Sequence, residues 1–486
     1  MPLLSRHTRE YLPVILMVSL GALFLGLRYG SFAFHHYVSA PGGDLVNHVV
    51  MMRDLEAHGL AVMFSSYPRL FHLILLITIK LTGLRPLTAL LYLLPLMMLA
   101  VSLATGWLAS VIAGRWAGLA AFFTLLFISS QPWQTLYDGG FPNILAAGVW
   151  VPLWIVCTSY YFGQRNWKYG IGSILTSLAI VLTHHISTGY LVVLYIALLI
   201  RLMLSARPLW VLAGAALLAL YLATPLSNAL WILLHQVVRF QAHYPWVIAV
   251  GKLDNPNAIW LWSDYPNALG WFVLAGGLVG FITLLRLAWS RSTAGIASYL
   301  LLVWAVVLLI GSREQVLGFP LRLARDAGIP LAASVGILFA QVGRWVRYQP
   351  LQVAVGALFL LLGFSQLSAQ FERVIGPYEP TIQYTLADRE AVDSVTRDNL
   401  QVASISNLLA TVDGNGVKQV RLIPGETESI QQANLKQLAP YQAVIMEQPL
   451  SGGEEAARTA HLLRRGGFVP EEIFSDTVKT VVVFRR

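Results

Sequence analysis

The chain has 486 residues, of which 56% are apolar and only 12% are charged, and its mean hydropathy is +0.64. Soluble domains are about 45–50% apolar and about 25% charged, so this composition excludes a soluble enzyme, a secreted disulfide scaffold and a disordered protein. The net charge of +9 does not indicate a nucleic-acid partner: residues 1–370 carry 21 Lys and Arg against 9 Asp and Glu, whereas 371–486 carry 12 against 15. The basic excess belongs to the apolar part, where it reports membrane topology.

Eleven apolar runs predict membrane-spanning helices, because each is long enough, or nearly so, to cross about 30 Å of hydrocarbon. They are 11–34, 87–113, 115–131, 143–162, 169–183, 187–203, 209–232, 269–286, 296–311, 327–343 and 351–369. The first run is expected to be an uncleaved helix, since it is longer than the apolar part of a signal peptide. The small residues after it are followed directly by Pro41, which is a poor context for cleavage. Another run, 71–84, has about 14 residues and contains Lys80, which predicts a re-entrant or interfacial segment.

Charge predicts the orientation. If residues 71–84 do not cross the membrane, the basic short loops fall on the cytoplasmic side with the N-terminus, as the positive-inside rule requires. These loops hold Arg115, Arg165 and Lys168, Arg201 and Arg207, Arg286 and Arg291, and Arg344 and Arg347. The chain end then lies outside the cytoplasm, together with every carboxylate before residue 371 except Glu10. Ionisable groups at a membrane are costly and usually mark function, so we expect chemistry on the outer face.

Residues 371–486 predict a second, extracytoplasmic domain after the transmembrane domain 1–370. Strand-like runs at 402–406, 420–424 and 443–447 alternate with helical patterns near 385–398, 429–438 and 453–466, and a hairpin-like pair covers 468–484. The pattern is typical of a small α/β domain. It contains no glycine-rich nucleotide motif and no nucleophile elbow. The single cysteine, Cys157, excludes an intrachain disulfide and a Cys-based metal cluster.

The first outer loop, residues 35–69, is the most informative stretch. Asp44 follows two glycines and opens a helical pattern that ends at Gly59, a residue type common just after a helix. His48 and His58 share one face of that helix with Asp44. Two interpretations are open here: Asp44 only caps the helix and His48 is an interfacial polar residue, or both belong to a functional site.

The pattern Gly42-Gly43-Asp44-x-x-x-His48, followed later by Tyr67-Pro68-Arg69-Leu70-Phe71-His72, resembles the first outer loop of GT-C class glycosyltransferases. These are integral-membrane enzymes that use sugars linked to polyprenyl phosphate or pyrophosphate. The resemblance implies an α-helical, polytopic, GT-C-like fold, a lipid-linked sugar donor, and a catalytic role for Asp44. The sequence lacks the Asp-x-Asp or Asp-Glu pair that several members have in this loop, so a requirement for a divalent metal stays open.

This chemistry predicts roles for several residues. Polyprenyl phosphate is a good leaving group, so the enzyme needs a carboxylate that takes the proton of the acceptor hydroxyl, and cations that hold the departing phosphate. Asp44 would be that base, and a single displacement would invert the anomeric centre. His48, Tyr67 and Arg69 would line the site.

The cations would be Arg322 and Arg325, because the fork of a guanidinium group suits phosphate oxygens. They are three residues apart in a late outer loop and point together if that loop is helical. Two alternatives remain for this pair: the arginines anchor lipid headgroups, or they are partners of Asp326.

Three further residues are candidates for substrate binding. Asp138 lies in a turn-rich loop that resembles the second acidic loop of the class, where it would bind a metal, orient the acceptor or form a turn. His184 and His185 lie at membrane depth, and at most one is expected to face the cavity, because helical neighbours diverge by about 100°. A divalent metal bound by Asp44, His48, Asp138 and one of these histidines is chemically reasonable.

Two other functions fit the composition. A transporter or flippase for a lipid-linked solute would distribute ionisable residues through the membrane midplane. A polysaccharide polymerase or ligase, which also uses outer-loop Arg and His groups, need not depend on Asp44. The aromatic loop 233–268 is explained by interfacial anchoring or by sugar stacking. The expected partners are the bilayer, the lipid-linked donor and a glycan, lipid or protein acceptor, in a multi-pass protein of the cell membrane with a cytoplasmic N-terminus.

Overall fold

A computed structural model of the protein describes a helical part and a small α/β domain. The described residues are 6–63, 67–204, 264–312, 320–346, 351–352, 354, 356–361, 384–398, 400–405, 410–413, 417–422, 427–449, 454–476 and 479–486. The predicted span 209–232 and most of the aromatic loop 233–268 lie outside these ranges, as does the predicted domain boundary near residue 371.

The helical part begins with α1 and a first loop (residues 35–69) that contains a helix of its own. The helices are α1 (Arg6–Phe34), α2 (Leu45–His58), α3 (Leu70–Thr82), α4 (Pro86–Ala113), α5 (Arg115–Phe123), α6 (Trp133–Tyr137), α7 (Phe141–Ile144), α8 (Val151–Gln164), α9 (Trp167–Thr183), α10 (His185–Leu204), α11 (Asp264–Leu269), α12 (Trp271–Ala288), α13 (Thr293–Gly311), α14 (Pro320–Asp326) and α15 (Gly328–Trp345). Helix α5 continues as a π-helical turn over Thr124–Ile128, and Leu145–Trp150 forms a second such turn between α7 and α8.

Among the described residues, seven helical segments are long and apolar enough to cross a membrane. They are Tyr11–Phe34, Pro86–Ala113, Phe141–Gln164, His185–Met203, Trp271–Ala288, Thr293–Gly311 and Leu321–Trp345. Shorter apolar helices cover Leu70–Thr82, Arg115–Ile128 and Trp167–Thr183. Every predicted span that falls wholly within the described ranges overlaps one of these helices, so the prediction of an α-helical polytopic membrane protein is confirmed.

Both ends of helix α3 lie close to the first loop. At its start, Arg69 pairs with Asp54 and donates to the Met51 carbonyl at 3.3 Å, and both partners belong to the first loop. Beyond its end, the Thr88 hydroxyl donates to the carbonyl of Val38, also in the first loop, at 3.1 Å. These contacts of both ends agree with a re-entrant or interfacial segment, which stays a prediction.

Small residues let the membrane helices approach closely. A Cβ added to Gly106 in α4 would lie 2.9 Å from the carbonyl oxygen of Gly118 in α5, and a Cβ on Gly276 in α12 would lie 3.2 Å from Val335 of α15. Where lipid removes the hydrophobic drive between helices, such close packing is a main source of association. Helices α4, α5, α12 and α15 thereby form a compact layer that supports the loops described below.

The C-terminal domain has a five-stranded sheet of order β2-β1-β3-β5-β4. Its strands are β1 (Val402–Ser404), β2 (Val417–Gln419), β3 (Ala443–Pro449), β4 (Val469–Ser475) and β5 (Lys479–Arg485), and its helices are α16 (Leu386–Arg397), α17 (Ala410–Asp413), α18 (Glu428–Leu438) and α19 (Glu454–Arg465). Strand β1 pairs in parallel with β2 and β3, while β5 runs antiparallel to β3 and β4. The predicted α/β fold is confirmed.

The second strand is displaced from its predicted position. It was expected at 420–424 and lies at Val417–Gln419, because it pairs residue by residue with the three-residue strand β1, whose Val402 faces Val417. The apolar run that suggested the strand begins where this pairing ends.

The C-terminal domain packs on the first-loop side of the helical part. Arg389 of α16 donates to the Val38 carbonyl at 3.0 Å and to the Thr88 hydroxyl at 2.9 Å. Arg85, just before α4, pairs with Asp393 at 2.7 Å. The first loop is therefore enclosed between the membrane helices and this domain.

Candidate active site

Two glycine-containing loops meet with their backbones in contact. Gly42 of the first loop has φ +116° and Gly139 of the second loop (residues 129–140) has φ +91°, conformations that glycine adopts without strain. A Cβ on Gly42 would lie 2.6 Å from the Gly139 nitrogen, and one on Gly139 would lie 3.0 Å from the Cβ of Asp44. The contact places Asp44 directly against the turn formed by Asp138 and Gly139.

The Asp44 carboxylate is not used to cap α2. Asp44 occupies the N-cap position, yet its side chain makes no capping hydrogen bond, whereas a capping aspartate accepts one from the backbone N–H two or three residues later. The Asn47 amide approaches its Oδ1 at 3.4 Å, which is long for a hydrogen bond. Asp44 therefore has the N-cap position that one interpretation expects, but its half-buried carboxylate takes no part in capping.

His48 connects the two loops to α3. Its Nε2 lies 2.6 Å from the Gly139 carbonyl oxygen and its Nδ1 lies 3.1 Å from Nε2 of His72. Burial lowers the pKa of His48 and lowers that of His72 to about 2. Both imidazoles are therefore neutral near pH 7. His72 was not predicted as a site residue, although it closes the motif at residues 67–72 that resembles the GT-C first loop.

Tyr67 lies against three histidine rings. Its ring centroid is 5.6 Å from that of His185 and 6.1 Å from those of His184 and His72, all edge-on. Helical spacing, from which at most one of His184 and His185 is expected to face the cavity, does not apply to this pair. His184 lies between α9 and α10 with extended dihedral angles (φ −158°, ψ 129°), so the two residues are not helical neighbours and their rings lie 4.7 Å apart.

The two predicted arginines have different surroundings. Arg325 forms an ion pair with Asp138 of the second loop. Burial is the main cause that lowers the pKa of His184, and the positive charge of Arg322 lowers it further; Arg322 acts in the same direction on His48. Arg322 therefore lies within electrostatic range of the histidine cluster that surrounds Tyr67, whereas Arg325 holds α14 to the second loop.

Asp326 has other partners than the arginine beside it. Its buried carboxylate accepts hydrogen bonds from the Asn143 amide at 3.1 and 3.3 Å and from the Tyr190 hydroxyl at 3.2 Å. Arg325 pairs with Asp138 instead. The interactions of Asp326 join α14 to α7 and α10, and neither Asn143 nor Tyr190 was predicted, because their sequence distances from Asp326 exceed any local pattern.

Arg69 lies beside the site and holds the first loop. It is buried, and its guanidinium bonds to Asp54 and to the Met51 carbonyl, which both belong to α2. Its charge reaches His72, where it adds to the effect of burial and of His48 in lowering the pKa. Arg69 therefore lies near His72, and its hydrogen bonds go to α2.

Two of the side chains considered as possible metal ligands have other partners. His48 is occupied by Gly139 and His72, and Asp138 is paired with Arg325. Within the ranges that the structure describes, no group of three or more His, Cys, Asp or Glu side chains is arranged to hold a metal ion.

The fold is similar to those of three solved membrane glycosyltransferases. The apo oligosaccharyltransferase of Archaeoglobus fulgidus has a TM-score of 0.59 at 13% identity, with 90% of this chain and 69% of that chain covered. ArnT from Cupriavidus metallidurans bound to undecaprenyl phosphate has 0.53 at 14%, covering 97% of each chain. The mycobacterial arabinofuranosyltransferase AftD has 0.56 at 14%, covering 99% of this chain and 42% of that chain. No protein-family model and no curated protein sequence matches the chain.

These neighbours share the GT-C architecture. The chain therefore has the fold of GT-C class glycosyltransferases, and the resemblance identified from the first loop is confirmed at the level of the fold.

Proposed function

We propose that the protein is a membrane glycosyltransferase that moves a sugar from a polyprenyl-phosphate-linked donor to an acceptor hydroxyl, with Asp44 as the general base. The observation that carries this proposal is the Asp44 carboxylate: it makes no capping bond, and it lies against the second loop on a fold shared with enzymes of this kind. Arg322 supplies positive charge to the histidine cluster that surrounds Tyr67.

The proposed reaction is a single displacement. Asp44 takes the proton of the acceptor hydroxyl while the hydroxyl oxygen attacks the anomeric carbon. The bond between that carbon and the phosphate oxygen breaks, and its electron pair leaves with the phosphate. Arg322 would stabilise the departing phosphate, since a guanidinium presents several donors to phosphate oxygens. The anomeric configuration would invert, because one displacement leaves no covalent intermediate.

The lipid carrier is supported by what two neighbours bind. The Archaeoglobus fulgidus oligosaccharyltransferase was solved with a dolichol-phosphate and an inhibitory peptide, and ArnT was solved with undecaprenyl phosphate. Both ligands are polyprenyl phosphates. A site that lies at the ends of the membrane helices lets such a donor keep its hydrocarbon tail in lipid while its phosphate reaches Arg322.

The proposed reaction takes place on the extracytoplasmic face. The basic short loops favour a cytoplasmic N-terminus, and the C-terminal domain lies on the first-loop side with Asp44. Residues 371–486 would then form an extracytoplasmic domain over the site. Protease added to sealed, right-side-out membranes is expected to remove this domain; protection of the domain would contradict the orientation.

The ionisable residues of the site favour an enzyme over a transporter. In the described ranges, the contacts of Asp44, His48, Tyr67 and Arg69 all lie at the first-loop end of the helices, whereas a transporter would need polar groups through the midplane. A polysaccharide polymerase or ligase remains the alternative if Asp44 is dispensable.

The proposal is tested by purified protein in lipid nanodiscs with a panel of labelled sugars on polyprenyl phosphates and, as a control, the same sugars on nucleotides. We expect release of polyprenyl phosphate and an inverted glycosidic product from at least one lipid-linked donor. Transfer from the nucleotide sugars alone, or a product that retains the anomeric configuration, would contradict it.

A further inference from the structure

His72 is buried in α3 and has no part in the mechanism proposed above. Its Nε2 lies 3.1 Å from Nδ1 of His48, and the second ring nitrogen of His48 lies 2.6 Å from the Gly139 carbonyl oxygen. The chain His72, His48, Gly139 thus runs from α3 through the first-loop helix to the second loop.

The hydrogen-bond partners determine where the protons lie. A carbonyl oxygen only accepts, so Nε2 of His48 carries the proton that it donates to Gly139. A neutral imidazole has one N–H, so Nδ1 of His48 must accept, and Nε2 of His72 donates to it. Nδ1 of His72 is then unprotonated, in agreement with its lack of a hydrogen-bond partner in the described part of the chain.

This chain of hydrogen bonds ends at the Gly139 carbonyl, and the Gly139 backbone lies against Asp44. The Gly139 backbone is so close to Asp44 that a Cβ on Gly139 would lie 3.0 Å from the Asp44 Cβ and 3.1 Å from its nitrogen. The hydrogen bond from His48 to the Gly139 carbonyl therefore also holds the backbone that contacts Asp44, the proposed base. A donor at the other ring nitrogen of His48 favours the tautomer whose Nε2–H points at that carbonyl, and it fixes the orientation of the ring.

We propose that His72 is a positioning residue for glycosyl transfer, which acts through the His48 tautomer and Gly139 on the location of Asp44. The expected effect on kcat rests on the proposed function, whereas the expected effect on the spacing of the two loops does not. His72 touches no reacting atom, and its contribution is the hydrogen bond that it donates to His48.

The kinetic test compares His72→Phe with His72→Gln. Phenylalanine keeps a ring but donates nothing, whereas the glutamine amide nitrogen occupies about the place of the imidazole Nε2 and keeps the donor. We expect His72→Phe to lower kcat by about 10–100-fold without raising KM for the donor, since small misplacements of a reacting group cost this much. His72→Gln is expected to restore most of kcat at an equal thermal stability.

The structural test does not depend on turnover. Spin labels on Val50→Cys in α2 and Gln134→Cys in the second loop, both exposed positions, report the spacing of the two loops in a Cys157→Ser background. We expect His72→Phe to broaden the distance distribution and His72→Gln to narrow it again.

The outcomes separate the two proposals. An unchanged distance distribution in His72→Phe, a Gln variant as impaired as the Phe variant, or a loss confined to KM would overturn the positioning role. If the wild type transfers no sugar from any donor, the proposed function fails. The distance distributions between the spin labels then decide alone whether His72 holds the two loops at a fixed spacing.

Discussion

Arg389 of the C-terminal domain donates a hydrogen bond of 3.0 Å to the carbonyl of Val38, six residues before Asp44. The same guanidinium donates to Thr88 at 2.9 Å and pairs with Asp413, whose side chain is fully buried. One side chain thus ties the domain, the first loop and the start of α4 together. This contact gives the domain a structural role at the site in addition to any role in covering it.

Arg389→Ala is expected to loosen the first loop and lower activity. It removes hydrogen bonds from a charged donor, each of which contributes about 1.5–3 kcal/mol, and leaves Asp413 with fewer cations. We expect a lower melting temperature and a lower kcat. Arg397→Ala, at an exposed position of the same helix, is the control and should leave both unchanged. Equal behaviour of the two variants would argue against coupling between the domain and the loop.

Gly139→Ala is expected to be much more harmful than Gly467→Ala. Both glycines have positive φ, +91° and +81°, so each substitution brings backbone strain of about 1–3 kcal/mol. Only at Gly139 does the new methyl group meet Asp44; at Gly467 no atom lies within 4 Å. The control thus separates strain from displacement of Asp44. Sugar transfer should fall sharply in Gly139→Ala, and a similar rate in both variants would show that the close approach is unimportant.

Arg322 is expected to act on the donor phosphate. Arg322→Lys keeps the charge but loses the forked geometry, and Arg322→Gln loses the charge as well. We expect KM for the lipid donor to rise in the order wild type, Lys, Gln. Binding of unlabelled polyprenyl phosphate, measured by competition, should weaken in the same order. If the two variants bind this lipid as the wild type does, the phosphate is held elsewhere.

Acidification is expected to destabilise the fold through its buried histidines. Burial lowers the pKa of His48, His72 and His184 below the usual value of about 6.5. The unfolded chain therefore binds more protons than the folded one below about pH 6.5, so the stabilisation is complete above that pH and is lost as the pH falls. Thermal unfolding between pH 7.5 and 5 measures it.

His72→Phe provides the matched variant for this pH dependence. It removes one of these buried histidines, so its melting temperature should fall less steeply with acid than that of the wild type. His461→Asn changes an exposed histidine of the C-terminal domain and should keep the wild-type slope. Parallel curves for the wild type and His72→Phe would show that His72 does not take part.

Hydropathy and local patterns predict most of the fold, because membrane helices and short strands are determined by their own residues. The candidate site is predictable where its signal is local: Asp44 and His48 lie in one short motif. The pairing of Arg325 with Asp138 and of Asn143 with Asp326 joins residues 187 and 183 positions apart. No periodicity reports such contacts.

The His184-His185 pair shows the same limit at short range. Helical spacing does not apply to these two residues, because His184 interrupts the helix with an extended conformation. Arg69 is a further case: it was expected to line the site, and the sequence does not show that its guanidinium bonds to the helix of the first loop. Which groups a buried charge contacts is set by packing, which the sequence pattern does not contain.

The central claim is that Asp44 is the general base, and single-turnover sugar transfer by Asp44→Asn tests it most directly. Glu56→Gln, at an exposed carboxylate of the same loop, is the matched control. We expect Asp44→Asn to slow transfer by about 10²–10⁴-fold with donor binding retained, and Glu56→Gln to react as the wild type does. Transfer by Asp44→Asn at the wild-type rate would contradict the account and favour a polymerase or ligase that does not use this carboxylate.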